Sequence, residues 1–261
     1  MLIDWSGVLT NAIWAGIGAA GLLLWRRFHR WRTTLGHGAL FAGLEGPTLF
    51  VFPARPGTGR LLPQTAIEDF LAINNIISAY LRFGGTPPDK MRDHHSLAQS
   101  ERKTHNLILI CSSKSNSVTR EAIDLLRARN RRLADYVPYF ESVDDRPDDI
   151  QIRWNQGVFP SGSYDTTGGS LDDIAVIVKA RNPWAEQHKI LIVAGIRGIG
   201  TWGAAEKLKK WWEELYDSKD SSRSRKTQKQ GDFAAIVKIH YADHDIKSAD
   251  LLQLVDLDNA Y

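Results

Sequence analysis

The residues best suited to chemistry lie in two turns that each follow an apolar run and open a helical pattern. In the first, the chain reads Gly195-Ile196-Arg197-Gly198-Ile199-Gly200-Thr201. Glycines between a buried strand and a helix let backbone amides face an anion at the helix's positive end, and Arg197 adds a planar fork of donors. The spacing is neither GxGxxG nor GxxxxGK[ST], so neither dinucleotide nor Walker-type phosphate binding follows, and such a turn can also be purely structural. In the second turn, Ser112, Ser113, Lys114, Asn116, Thr119 and Arg120 offer hydroxyls, an amide and two cations at one edge. Lys114 and Asn116 are its best ligand candidates, while Ser117 has the type and place of a helix cap. Arg55, in a Pro- and Gly-rich loop with Thr58 and Arg60, can complete the same crevice, because open α/β sheets bind ligands beyond the carboxyl ends of their strands.

An enzyme also needs an activated group. Cys111 falls inside the end of an apolar run, where a thiol is ordinarily buried and inert. Ser112 and Ser113 lack a nucleophile-elbow context. Glu121 and Glu206 each sit on a helix behind a candidate turn and are the two carboxylates an enzyme would use, although helix carboxylates are usually solvated. His94-His95 and the His240/His244 pair have metal-binding types without metal-binding spacing, so no metal or cofactor is expected. The basic run at residues 223–229 reads as a solvated loop. The balance favours binding over catalysis.

Positioning these turns requires strands that alternate with helices. Apolar runs at residues 48–52, 106–111, 174–179 and 189–194 read as strands, and helical periodicity covers 65–83, 118–131 and 202–216. The 106–111 run is apolar throughout, as in a strand covered on both faces. Segments 136–142 and 150–154 suggest a hairpin, 182–184 marks a tight connection between two strands, and 234–241 with 251–257 close the domain. The pattern predicts an α/β fold: a Rossmann-like three-layer sandwich with a mainly parallel sheet and an antiparallel edge, over residues 47–261.

Ahead of it, residues 5–25 carry no charge and, as a helix, span roughly 30 Å, the thickness of a bilayer's hydrocarbon. Trp5 and Trp25 stand at the two interfaces. Asp4 precedes the run and Arg26, Arg27, Arg30 and Arg32 follow it, which is the reverse of a signal peptide and places the amino terminus outside. Residues 1–32 therefore read as a single-pass transmembrane helix with a basic juxtamembrane stretch, and 33–46 as a linker. Small residues four apart, Gly16 with Ala20 and Ala15 with Ala19, suit close helix packing and a homo-oligomer. With 33 Lys and Arg against 30 Asp and Glu, the net charge of +3 does not make nucleic acid the default partner. The single cysteine rules out an intrachain disulfide and fits a reducing compartment.

An amino-terminal membrane helix joined to a Rossmann-like domain resembles the membrane effectors of bacterial antiviral signalling, among them proteins bearing CARF-type sensor domains in type III CRISPR systems. The loop from Gly195 to Thr201 is similar to the glycine-containing ligand loops of those domains. The resemblance implies a sensor in the bacterial inner membrane with its domain in the cytoplasm. It would bind a nucleotide second messenger, a cyclic oligonucleotide above all, through Arg55, Lys114, Asn116, Arg197 and Thr201, and perturb the lipid bilayer through clustered helices. The competing expectation is a membrane-tethered nucleotide-processing enzyme, a glycosidase or phosphodiesterase, using Glu121 or Glu206.

Overall fold

The computed structural model describes residues 41–44, 46–54, 65–83, 91–143, 146–160, 162, 171–217, 231–243 and 245–261. The expected membrane span and Arg55 lie outside the described residues. No helix among the described residues is long and apolar enough to cross a membrane.

The strands are β1 (Thr48–Phe52), β2 (Met91–Asp93), β3 (Asn106–Ile110), β4 (Tyr139–Val143), β5 (Arg146–Trp154), β6 (Gly157–Pro160), β7 (Leu171–Arg181), β8 (Lys189–Gly195), β9 (Phe233–Ala242) and β10 (Asp245–Asp256). The helices are α1 (Ile67–Phe83), α2 (Gln99–Thr104), α3 (Ser117–Arg129), α4 (Arg131–Tyr136) and α5 (Gly198–Asp217). Seven strands form one sheet in the order β10-β9-β7-β8-β3-β1-β2, and β4-β5-β6 form a second, antiparallel one.

In the large sheet β2, β1, β3 and β8 are mutually parallel, whereas β7 runs against both of its neighbours, β8 and β9. The sheet is thus mixed, with β7 and β10 reversed against the other strands. The link from Asn182 to His188 is too short for a parallel crossover, which takes a dozen residues or more, so β7 and β8 close as a hairpin. The expected antiparallel edge is the β9–β10 pair.

Side chains alternate between two cores. On one face Phe50, Ile108, Ile110, Ile177, Leu191 and Val193 pack with Ala72, Ile73 and Ile76 of α1 and Ala204, Ala205 and Leu208 of α5. On the other, Leu49, Val51, Leu107, Leu109, Val176 and Ile192 meet Val118, Ala122, Ile123 and Leu126 of α3 and Ile152 and Trp154 of the small sheet. Every residue of β3 is buried, as a strand covered on both faces requires.

The helices after β1 and β3 go to opposite faces although the strands are neighbours, which makes a switch point of the kind where open α/β sheets bind ligands. At its β2 side, His94 is buried, and its Nδ1 accepts a hydrogen bond from Ala54 N at 3.3 Å. Burial, followed by the charge of His95, whose ring lies 3.8 Å away, holds the His94 imidazole below its ordinary value. A depressed folded value stabilises the fold fully above the unfolded pKa of about 6.5 and loses that contribution as pH falls through the lower folded value. Chemical denaturation at pH 7.5 and 5.5 is therefore expected to show a smaller acid loss in His94→Gln than in the native chain. Equal losses would remove His94 from the account.

Candidate functional site

At the end of β8 the chain must turn directly into α5, and the turn is closed by the protein's own groups. The Gly195 N–H donates to Thr201 Oγ1 at 2.9 Å. Asp173, fully buried at the start of β7, accepts from Arg197 N at 3.0 Å and from Ile174 N at 2.9 Å. Its carboxylate sits where an anion at the positive end of α5 would sit. Gly200 permits this, because a Cβ there would fall under 3.0 Å from Asp173 Oδ2. A Cβ on Gly198 would meet Glu68 Cβ at 3.1 Å. The Arg197 guanidinium donates to Tyr241 OH at 3.1 Å and to the Gly162 carbonyl at 3.0 Å, tying α5 to β9 and to the segment before β7. The turn expected to cradle a ligand thus holds an internal carboxylate; Gly195, Arg197, Gly200 and Thr201 serve that closure, and Gly198 lies against Glu68 of α1.

The β3–α3 turn is built differently. Cys111 ends the strand with a left-handed φ of 83°, a region that side chains rarely adopt and that swings the chain out of the sheet. Its thiol is buried, and burial, then the nearby Asp69 carboxylate, push it up to about 12, so it is no nucleophile at neutral pH. Asn116, not Ser117, caps α3: its Oδ1 accepts from Val118 N at 3.0 Å and Thr119 N at 3.2 Å, while its Nδ2 donates to Ile110 O at 3.0 Å. Asn116 is fully buried and serves the turn. Ser112 is buried as well, and its carbonyl accepts from Ser115 N and Asn116 N. Thr119 is buried in the first turn of the helix.

What remains outward are Ser113, Lys114 and Arg120. They form one wall of a cleft of about 240 Å³ whose other wall is Phe140, Glu141, Ser142 and Ile150 of the small sheet. Arg120 donates from Nε and Nη2 to the Ser113 carbonyl at 3.1 and 2.9 Å, which holds the guanidinium over the turn and leaves further N–H donors. Glu141 contributes a negative charge, countered by Arg153, with which it is paired, and by Gln151 Nε2 at 3.0 Å. The cleft thus offers two cations and the Ser113 hydroxyl on one wall and, on the other, the apolar Phe140 and Ile150 beside the Ser142 hydroxyl and a carboxylate ion-paired with Arg153.

The structure brings Ser113, Lys114 and Arg120 together in this cleft and places Arg197 and Thr201 in a separate internal network. The opposing wall was not singled out from the sequence. Its signal was the hairpin at 136–154, which carries no ligand-type motif of its own.

The two carboxylates considered for catalysis are held elsewhere. Glu121 accepts from Arg102 Nη1 at 2.6 Å and from Trp184 Nε1 at 3.1 Å, and Glu206 pairs with Lys210 at 3.5 Å along α5. No protein-family model and no curated protein matches the chain.

Proposed function

We propose that the chain is a membrane-anchored sensor whose α/β domain binds an anionic nucleotide messenger in the cleft between the β3–α3 turn and the small sheet, and whose clustered transmembrane helices then perturb the bilayer. The observation that carries this is the pairing of Lys114 and Arg120 with Phe140 and Ile150 across one cleft at the carboxyl end of a parallel strand. Phosphate suits the cationic end and a base suits the apolar one. Pockets that engulf drug-sized ligands hold roughly 300–1,000 Å³, so a cleft of about 240 Å³ takes one nucleotide unit and leaves the rest of a cyclic oligonucleotide outside it. A messenger with equal affinity for the resting and active arrangements shifts nothing, so it must grip the active one more tightly.

Full-length protein in lipid nanodiscs, titrated with labelled cyclic and linear nucleotides, tests this. Lys114→Ala is expected to weaken binding by about tenfold or more, the size of one charge-assisted hydrogen bond. Arg197→Ala, at a guanidinium that holds Tyr241 OH and the Gly162 carbonyl, is expected to leave affinity unchanged. If no nucleotide binds, or if affinity follows Arg197 rather than Lys114, the site is misplaced. Gly16→Leu is expected to leave ligand affinity intact and abolish the growth arrest caused by ligand in cells, because a larger side chain separates the packed helices. Persistent arrest in that variant removes the helix from the output.

A further inference from the structure

Helix α1 has only three charged residues in its sequence, IEDFLAINNIISAYLRF, and one of them, Asp69, is buried. Its inner side packs on the sheet and α5 through Ala72, Ile73, Ile76 and Tyr80. Its outer side ought then to be polar, and it is not. Ile67 is 70% exposed, Phe70 62% and Leu81 40%, with Ile77 half-buried among them. These residues recur at intervals of three and four and form one stripe along the helix, with exposed Asn74 at its middle. A helix that is apolar on all sides is one that is covered on all sides.

We infer that the outer face of α1 is covered by α1 of a second copy of this chain, packed antiparallel about a two-fold axis through Asn74. An isologous interface must be self-complementary, and this stripe, apolar on both sides of a central amide, nearly matches its own reverse. With Asn74 on the axis, Ile67 falls level with Leu81 of the other copy, Phe70 falls within one residue of the level of Ile77, and Asn74 meets its own equivalent, where two amides can exchange hydrogen bonds. The charges obey the same symmetry. Glu68 near the start and Arg82 at the end flank the stripe on the same side, so antiparallel packing sets the carboxylate of each copy near the guanidinium of the other. The amino-terminal chain enters the domain beside this helix, where Phe41 packs on Tyr80 with ring centroids 5.7 Å apart.

The test is cysteine cross-linking of the full chain in the membranes of expressing cells, where native Cys111 is buried and silent. Asn74→Cys is expected to convert most of the chain to a covalent dimer on mild oxidation, since facing positions on the two-fold lie within disulfide reach. Asp124→Cys, exposed on α3 at the opposite face of the sheet, is expected to stay monomeric. Adding Arg82→Glu to Asn74→Cys is expected to cut the dimer yield severalfold. Three results would overturn the inference. The Asn74→Cys thiol can be open to maleimide without cross-linking, which leaves the face bare. It can be protected without cross-linking, which assigns the cover to lipid or to this chain's own amino-terminal residues. Or both cysteines can cross-link equally, which reports collision in the membrane.

Discussion

Gly195→Ala is expected to lose roughly 3 kcal/mol of stability or more, the upper range for forcing an atom into a filled core. A Cβ at this position would fall under 3.0 Å from Thr201 N and from the Gly200 carbonyl carbon and Cα. These are backbone atoms of the first turn of α5, so no side chain can rotate away, and either the helix leaves β8 or the Gly195 N–H loses Thr201 Oγ1. For a chain of this size each kcal/mol lowers the melting temperature by about 2–4 °C, so thermal unfolding should shift by about 6–12 °C. Gly46→Ala is the matched control, because among the described residues its Cβ would meet Asn106 Nδ2 alone, at an ordinary 3.5 Å. Equal melting temperatures for the two variants would show that the turn relaxes in a way its geometry does not suggest.

Trp154→Ala carries the second large effect and reaches the cleft. Trp154 is 2% exposed, lies in the core beneath the small sheet, and donates from Nε1 to the Tyr136 carbonyl at 2.7 Å. Truncating a buried tryptophan costs about 3–5 kcal/mol, and here it also frees the end of α4 from β5. Since β4 and β5 supply Phe140, Glu141, Ser142 and Ile150, the wall of the cleft should loosen with it. The expected outcome is a variant that retains the large sheet by circular dichroism, unfolds at lower denaturant, and binds nucleotide more weakly than its folded fraction explains. Unchanged affinity per folded molecule would separate the small sheet from ligand binding.

The alternation of strands and helices was legible because the periods are clean: β3 is an unbroken apolar run, and α1, α3 and α5 show their inner faces at helical spacing. The filling of the Gly195–Thr201 turn was not legible, since it depends on a partner strand. The β7–β8 register pairs Ala175 with Gly195, which carries Asp173 to the level of Arg197. Nothing local to the glycines announces a carboxylate 24 positions upstream. The cap of α3 was misplaced by one residue, because Asn116 and Ser117 both have capping side chains and only Asn116 can also donate to the Ile110 carbonyl. The half of the cleft that faces Lys114 was invisible for the same reason as Asp173: its residues are ordinary strand residues until folding brings them across from the turn.

Among the described residues, the three strands β4, β5 and β6 pair only with one another, inserted between α4 and β7 as a unit. The β3–α3 turn and α3 carry Lys114 and Arg120, and the insert carries the surface opposite. On the proposed reading, recognition of charge and recognition of shape are vested in separate pieces of chain. On that reading, exchanging residues 139–160 for another hairpin of equal span is expected to retune which molecule is accepted while leaving the large sheet's hydrogen-bond ladder untouched.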